Sequence, residues 1–169
     1  DATILLSLRD DVVALDIKGN ELWRDSTGYE EPYFIYSYDQ GFLYLGSTVE
    51  ETYDYDSGEQ VSHYKQGTLV AISVEGDRHF TEEIGFATRL WTTEDSIVAA
   101  VTSQTDTGDG FNITDGYVLC LGFDGTERWQ VDTGPPTQIY ARDSQVTVST
   151  TEETFEVIDI PSGERANVY

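Results

Sequence analysis

The stretch VVALDIKGNELWR, residues 12–24, decides the fold of this 169-residue chain. A short apolar run, a turn at Gly19-Asn20 and a second run ending at Trp23 predict one β-hairpin. A two-residue loop is expected, because glycine and asparagine tolerate the positive φ that such loops need. The stretch recurs three times, as LVAISVEGDRHF (69–80), VLCLGFDGTERW (118–129) and EVIDIPSGERA (156–166). The sequence is therefore a repeat of one β-rich unit.

The four copies align without gaps. One shared position holds Leu15, Ile72, Leu121 and Ile158, and another holds Trp23, Phe80, Trp129 and Ala166. Both sets advance by 57, 49 and 37 residues, so the match extends across the whole hairpin. In the fourth copy the turn glycine moves one place, to Ser162-Gly163, which predicts a different turn there.

Two more apolar runs precede each of the later hairpins. The first run contains an aromatic residue: YFIYS (33–37), RLWTT (89–93) and QIYAR (138–142). The second is β-branched or aromatic: FLYLGSTV (42–49), SIVAAVTS (96–103) and QVTVST (145–150). Runs of this length and composition predict strands. A complete unit is thus a four-stranded antiparallel sheet with strands A to D in chain order, and the chain is expected to be all-β.

The unequal spacing places insertions between strands B and C, at 50–67 and 104–116. Without them the period is 37 residues, just below the roughly 40 to 45 of a four-stranded β-propeller blade. Insertions at one point of a repeat map to one rim, often the binding face. We expect a single β-propeller domain over 1–169, with about four blades. Their predicted bounds are 1–27, 28–84, 85–133 and 134–169.

The first predicted blade lacks strand A, whose residues would precede Asp1. Four blades with one incomplete predict an open arc or part of a larger ring. Further propeller blades or a second copy of the chain would complete such a ring. Both alternatives stay open from the sequence.

VVALDIKGNELWR resembles the repeat of the pyrroloquinoline-quinone-like (PQQ-like) β-propellers, in which Ala-Leu-Asp precedes a glycine turn and Leu-Trp follows it. The matching residues are Ala14, Leu15, Asp16, Gly19, Leu22 and Trp23. The resemblance implies that the strand D aromatics Trp23, Phe80 and Trp129 dock each blade on its neighbour. It does not decide function, because the family includes both enzymes and scaffolds.

A quinone dehydrogenase is the enzyme that the resemblance suggests. Such enzymes stack the cofactor on tryptophan, hold calcium with carboxylates, and in many cases cover the quinone with a vicinal disulfide. This chain has one cysteine, Cys120, in an apolar run that predicts a buried small side chain. Two of its three tryptophans are assigned to docking by the resemblance. We therefore expect no PQQ and no catalytic residues.

Charge is the strongest compositional feature, with 32 acidic and 9 basic residues and a net charge of −23. Nucleic-acid binding is excluded as a function class, because phosphate contacts need clustered Lys and Arg. The composition resembles proteins of halophilic archaea, since molar salt shortens the Debye length to about 3 Å and screens self-repulsion. The alternative is a cationic partner. The sequence has no apolar run of the roughly 18 residues that predict a membrane-spanning helix.

The second insertion contains candidate ligands for a hard cation. Carboxylate and amide oxygens of the kind that calcium prefers lie at Asp106, Asp109, Asn112 and Asp115. Their order does not match the regular calcium-binding loop, so a bound calcium ion and a solvated acidic loop remain alternatives. Asn112-Ile113-Thr114 is also an N-glycosylation sequon, and a glycan at Asn112 would put the protein outside the cell.

The first insertion carries Tyr53, Tyr55 and Tyr64 among acidic residues. Tyrosine is favoured at interfaces, but the same residues could pack on one another in an extended hairpin. The sequence favours a non-catalytic scaffold or protein-interaction module. Its expected location is extracellular or at the cell surface, and a high-salt cytoplasm is the alternative. Two rival hypotheses are an enzyme or sensor completed by further blades, and a calcium- or glycan-dependent adhesive module.

Overall fold

A computed structural model describes residues 3–26, 28, 31–54, 59–106, 111–151 and 154–168, and in these ranges every regular element is a β-strand. The side chains of 31–34, 48–66, 103–112, 114 and 167–168 lie outside that description. All neighbouring strands pair antiparallel. Over the same ranges, no helix has the length and apolarity needed to cross a membrane.

The strands form four sheets in chain order. The first sheet contains β1 (Thr3–Ser7), β2 (Asp11–Asp16) and β3 (Glu21–Ser26), and the second contains β4 (Glu31–Tyr38), β5 (Gly41–Asp54), β6 (Glu59–Ile72) and β7 (Arg78–Ile84). The third contains β8 (Phe86–Thr92), β9 (Ser96–Asp106), β10 (Phe111–Gly122) and β11 (Glu127–Asp132), and the fourth β12 (Pro136–Arg142), β13 (Gln145–Thr150), β14 (Phe155–Asp159) and β15 (Arg165–Val168). The strand order within every sheet is the sequence order.

The fold class predicted from the sequence is confirmed: the chain is an all-β protein of the β-propeller type. Three sheets have four strands, and the first has three because it lacks strand A. Two compact units contain these sheets. Unit 1 is Asp1–Ile84, with the first and second sheets, and unit 2 is Gly85–Tyr169, with the third and fourth.

The loop between strands C and D is longer than predicted. In the first sheet Gly19 N donates to Asp16 O at 3.0 Å, and Asp16 N donates to Asn20 O at 2.9 Å. A three-residue loop therefore lies between Asp16 and Asn20, with Gly19 at φ +84° and a β-bulge at Ala14/Leu15. The prediction of a two-residue loop is wrong, because the glycine occupies the left-handed position of a bulged three-residue turn.

The residue that opens this turn differs between copies, but in the first three sheets a side-chain oxygen accepts hydrogen bonds from the turn amides. The Asp16 carboxylate accepts from Lys18 N at 2.8 Å and Asn20 N at 2.9 Å. In the second sheet the Ser73 hydroxyl accepts two turn amides in the same way. In the third sheet Asp124 supplies the acceptor from inside the turn. A short oxygen-bearing side chain is therefore enough to close the turn.

The fourth sheet differs from the gapless alignment. Its loop is one residue longer, since Asp159 N donates to Glu164 O and Gly163 N to Asp159 O. Trp23 lies opposite Ala14, and the residue opposite the equivalent Val157 is Asn167. The alignment of Ala166 with Trp23 is therefore wrong by one position after the turn.

The insertions between strands B and C extend the strands themselves. β5 and β6 pair from Phe42↔Ile72 out to Asp54↔Glu59, with a bulge at Thr48/Val49. β9 and β10 pair from Ser96↔Gly122 out to Asp106↔Phe111, with a bulge at Ile113/Asp115. We call these hairpins the first arm (48–66) and the second arm (103–114).

Each unit has its own apolar core between its two sheets. In unit 2 it consists of Val98, Ala100, Val118, Cys120, Ile139, Ala141, Val146, Val148, Ile158 and Ile160, with Trp129 and Val131 at its edge. In unit 1 Val12, Tyr44 and Val70 are buried together, with Leu5, Trp23 and Ile35 packed against them. Burial of this apolar surface between paired sheets is the main stabilising contribution.

Candidate interaction surfaces

In each unit a strand D tryptophan joins two sheets. Trp23 Nε1 donates to Val74 O at 2.9 Å, from β3 of the first sheet to the turn that follows β6. Trp129 Nε1 donates to Ile160 O at 2.5 Å, from β11 of the third sheet to the turn that follows β14. Both rings are half-buried against the cores of their units.

A turn glycine lies directly beneath each indole. A Cβ atom built on Gly76 would lie 2.7 Å from Trp23 Cγ, and one built on Gly163 would lie 2.7 Å from Trp129 Cγ. Any side chain there would displace the ring. We call the turn glycine and the nearby carbonyl acceptor the indole site of a sheet, which is formed by Val74 and Gly76 in the second sheet and by Ile160 and Gly163 in the fourth.

An arginine crosses in the opposite direction in both units. Arg78, opposite Ile72, donates to Asp25 at 2.7 Å and to Ser26 O at 3.3 Å at the end of β3. Arg165, opposite Ile158, donates to Asp132 O at the end of β11. The tryptophan and the arginine thus connect each pair of sheets from both sides.

The acidic partner of this arginine comes from different sheets in the two units. In unit 1 it is Asp25 on β3, which also accepts from Tyr44 Oη at 2.7 Å. In unit 2 it is Glu156 on β14, 2.7 Å from Arg165 Nε. By register Asp25 corresponds to Val131, and Glu156 corresponds to Val70. Each unit therefore has one acid and one valine at these two positions, in exchanged order, an arrangement that sequence reasoning missed.

The first sheet presents its own indole site to solvent. Gly19 has φ +84°, and no described atom lies within 4 Å of a Cβ built there. Ile17, the counterpart of Val74, is 71% exposed. The same side of this sheet carries Ile4 at 45% and Leu6 at 40% exposure. The counterparts in the fourth sheet, Val146 and Val148, are fully buried in the core of unit 2.

The third predicted docking residue, Phe80, is half-buried in β7 opposite Ala71. Its docking on a neighbouring sheet stays a prediction.

The first arm contains the predicted contact tyrosines. Register pairs Tyr53 with Gln60 and Val49 with Tyr64, so positions 53 and 64 fall on the same side of the ladder. Tyr55 lies outside the described residues, and so do the other two tyrosine side chains. The arm's backbone is thus a regular ladder, and its use as a contact surface stays a prediction.

The candidate calcium ligands lie on and around the second arm. Asp106 ends β9 opposite Phe111, Asn112 pairs with Thr105, and Asp109 falls outside the described residues. Asp115 is exposed, and its carboxylate accepts from the neighbouring Gly116 N at 2.8 Å. Within the described ranges, no group of three or more His, Cys, Asp or Glu side chains is arranged to hold a metal. Asn112, the sequon residue, lies in a strand beside the arm tip rather than in the tip.

A surface cavity of about 550 Å³ opens between the two sheets of unit 2. Its lining is Thr93, Glu94, Asp95, Asp143, Ser144, Ile160 and Pro161. Hydrogen bonds from Ser96 and then from Arg128, at 2.9 Å, lower the pKa of Asp95. An ionised carboxylate held by an arginine is a poor general base. Asp95 is thus an ion-paired carboxylate at the rim of this cavity.

Cys120 lies in the core of unit 2, and burial raises the pKa of its thiol. A neutral thiol of this kind is a small apolar side chain rather than a nucleophile. The sequence-based prediction that Cys120 is buried is therefore confirmed.

No protein-family model matches the chain, and no curated protein sequence matches it. Solved structures with a similar fold include a protein of unknown function from Bacteroides caccae, with 13% identity and a TM-score of 0.47 over 99% of this chain. They also include BamB from Moraxella catarrhalis, with 11% identity and a TM-score of 0.45 over 99% of the chain. The computationally designed protein Ika8 has 13% identity and a TM-score of 0.32 over the whole chain. The chain spans 56% of the first of these structures and 61% of the second.

Proposed function

We propose that this chain is a non-catalytic β-propeller scaffold that binds protein partners through its two arms. The observation that carries the proposal is the extension of β5–β6 and β9–β10 beyond the lengths of the strands in the fourth sheet. The first arm adds a paired ladder from Val49↔Tyr64 to Asp54↔Glu59, and tyrosine at positions 53 and 64 is suited to protein contact.

The charge pattern supports a high-salt setting for this scaffold. The net charge is −23. Four of the basic residues form ion pairs with carboxylates of their own unit: Arg24 and Arg78 in unit 1, and Arg128 and Arg165 in unit 2. Uncompensated acidic surface destabilises the compact state unless salt screens it. A halophilic source, with the protein exported or at the cell surface, fits this pattern. The melting temperature, measured from dilute to molar KCl, should rise with the salt concentration. A melting temperature that falls or remains unchanged would contradict the high-salt proposal.

The experiment for the arms starts from their register. Val49 and Tyr64 are paired, so an Asn-Gly turn can replace residues 50–63 without changing the ladder below. The matched variant replaces 105–112 with Asn-Gly between Gln104 and Ile113, which are also paired. Both variants should keep the thermal stability of the parent chain, because the replaced segments lie beyond the four-stranded part of each sheet.

Site-specific photo-crosslinking in the cells that produce the protein provides the readout. A crosslinker at position 53 should capture one defined protein, and capture from a second crosslinker at position 113 should depend on the second arm alone. A crosslinker at Leu22, on the first sheet, is the background control. Equal captures from positions 53 and 22, or capture from position 113 that survives replacement of residues 105–112, would show that the arms do not bind the partner.

A further inference from the structure

The second arm carries a motif to which the proposed function gives no role, the sequon Asn112-Ile113-Thr114. The sequence contains three asparagines, and neither Asn20 nor Asn167 is followed two places later by serine or threonine. Asn112 is therefore the one asparagine of this sequence that meets the chemical requirement for N-glycosylation. Whether it can serve as an acceptor depends on where the fold places it.

The fold places the sequon where the third sheet narrows to two strands. β8 pairs with β9 only up to Thr102, and β11 pairs with β10 only up to Tyr117. Within the described ranges, the residues 111–115 of β10 thus have β9 as their only neighbouring strand. Ile113, in the middle of the sequon, is 50% exposed, and Asp115 is exposed as well. A surface position of this kind is what an acceptor asparagine needs.

A β-bulge lies inside the sequon. Ile113 pairs with Gln104, and Asp115 pairs with Ser103, so Thr114 is the extra residue of the bulge. A bulge disrupts regular pairing and bends the strand. A two-stranded ladder that is interrupted in this way opens at less cost than the four-stranded part of the sheet. Local opening allows the sequon to enter the active site of a modifying enzyme.

We propose that Asn112 is N-glycosylated when the protein leaves the cytoplasm. The co-substrate is an oligosaccharide linked to a polyprenyl phosphate or diphosphate. Nδ2 of Asn112 forms a bond to the anomeric carbon of the first sugar, and the bond from that carbon to the phosphate oxygen breaks. The departing lipid phosphate takes one negative charge with it, which is balanced by the proton that Nδ2 loses.

The register decides which side of the second arm the modified position occupies. Positions 111 and 113 share one side of the ladder with their partners Asp106 and Gln104, whereas Asn112 falls on the other side with Thr105. A glycan at Asn112 therefore leaves the side of position 113 open to protein contact. The inference rests on the proposed export of the protein, but not on the proposed binding of a partner by the arms.

Mass spectrometry of the protein purified from the cells that produce it tests the proposal. Trypsin releases residues 90–128 as one peptide, because Arg89 and Arg128 are the nearest cleavage sites, and Asn112 is the only asparagine of this peptide. In the parent chain we expect the peptide to be heavier than its sequence by a whole number of sugar residues.

Three substitutions define the chemistry of the added mass. Asn112→Gln and Thr114→Ala should both remove it, whereas Thr114→Ser, which preserves the sequon, should retain it. All three variants should have the melting temperature of the parent chain in molar KCl, because the changed residues lie beyond the four-stranded part of the third sheet.

Two results would overturn this inference alone. One is an unmodified peptide from protein that cell fractionation finds outside the cytoplasm. The other is an added mass that persists in Asn112→Gln, because the sugar would then be attached to a serine or threonine hydroxyl of the same peptide. A chain found only in the cytoplasm would overturn the proposed export as well. A glycosylated chain whose arms capture no protein would support this inference and contradict the proposed contact.

Discussion

Unit 1 and unit 2 join their sheets with the same tryptophan, glycine and arginine but distribute charge differently. In unit 1 the acid at the sheet junction is Asp25, and the position that corresponds to Glu156 of unit 2 holds Val70. In unit 2 the acid is Glu156, and Val131 takes the place of Asp25. The comparison shows that the close approach of the indole to the turn glycine is common to both units. The carboxylate that pairs with the arginine can lie on either sheet.

The largest difference between indole sites is expected at their glycines. Gly76→Asn and Gly163→Asn should each lower the free energy of unfolding by about 3 kcal/mol, comparable to truncating a partly buried tryptophan. Gly19→Asn should cost about 1 kcal/mol or less, because it meets only open space. Urea denaturation in molar KCl measures all three. Equal losses at Gly19 and Gly76 would show that the φ of the turn, and not the indole, requires glycine.

Exchanging the acid and the valine in unit 1 sharpens the comparison of the junctions. Asp25→Val alone should cost about 2 kcal/mol, since Tyr44 and Arg78 both donate to this carboxylate. Adding Val70→Glu reproduces the order found in unit 2 and should recover about half of that loss. A double-mutant cycle by urea denaturation provides the coupling energy. Strictly additive losses would mean that the exchange between the units has no energetic basis.

The smallest expected effect concerns acid sensitivity. The hydrogen bond from Arg24 lowers the pKa of Asp11 in unit 1, and those from Ser96 and Arg128 lower the pKa of Asp95 in unit 2. A lowered native pKa adds stability that is complete above the unfolded-state pKa, about 3.9, and disappears as the pH falls through the native pKa. In molar salt the melting temperature should therefore decrease below about pH 4.

NMR titration of the Asp11 and Asp95 carboxyl carbons should give midpoints below about 3.9. The Arg24→Gln variant should raise the midpoint of Asp11 alone, and Arg128→Gln that of Asp95 alone. A midpoint that neither substitution moves would assign the lowered pKa to other groups.

The strands and sheets could be predicted because their signals are local. Alternating or continuous apolar runs such as 96–103 and turn glycines such as Gly19 specify a strand and a bend within a few residues. The displaced glycine of the fourth sheet indicated a different turn, but not the extra loop residue or the resulting shift that puts Asn167 in place of Ala166. That shift depends on which residues pair across the ladder.

The junction chemistry could not be predicted from one sequence. Asp25 and Val70 are 45 positions apart, and their relation appears only when two sheets are packed together. The arms were predicted as insertions, but their pairing as continuous ladders depends on register beyond a bulge. Asp106 and Asn112 could be singled out by residue type alone, which does not show whether their oxygens converge.

The exchange of indole protons tests the docking of the sheets most directly. In ¹H–¹⁵N spectra of the parent chain, the account predicts that the Nε1 protons of Trp23 and Trp129 are strongly protected from exchange with solvent. Both should exchange faster in Gly76→Asn and Gly163→Asn respectively, each without effect on the other. Rapid exchange of both protons in the parent chain, at the rate of an exposed indole, would contradict it.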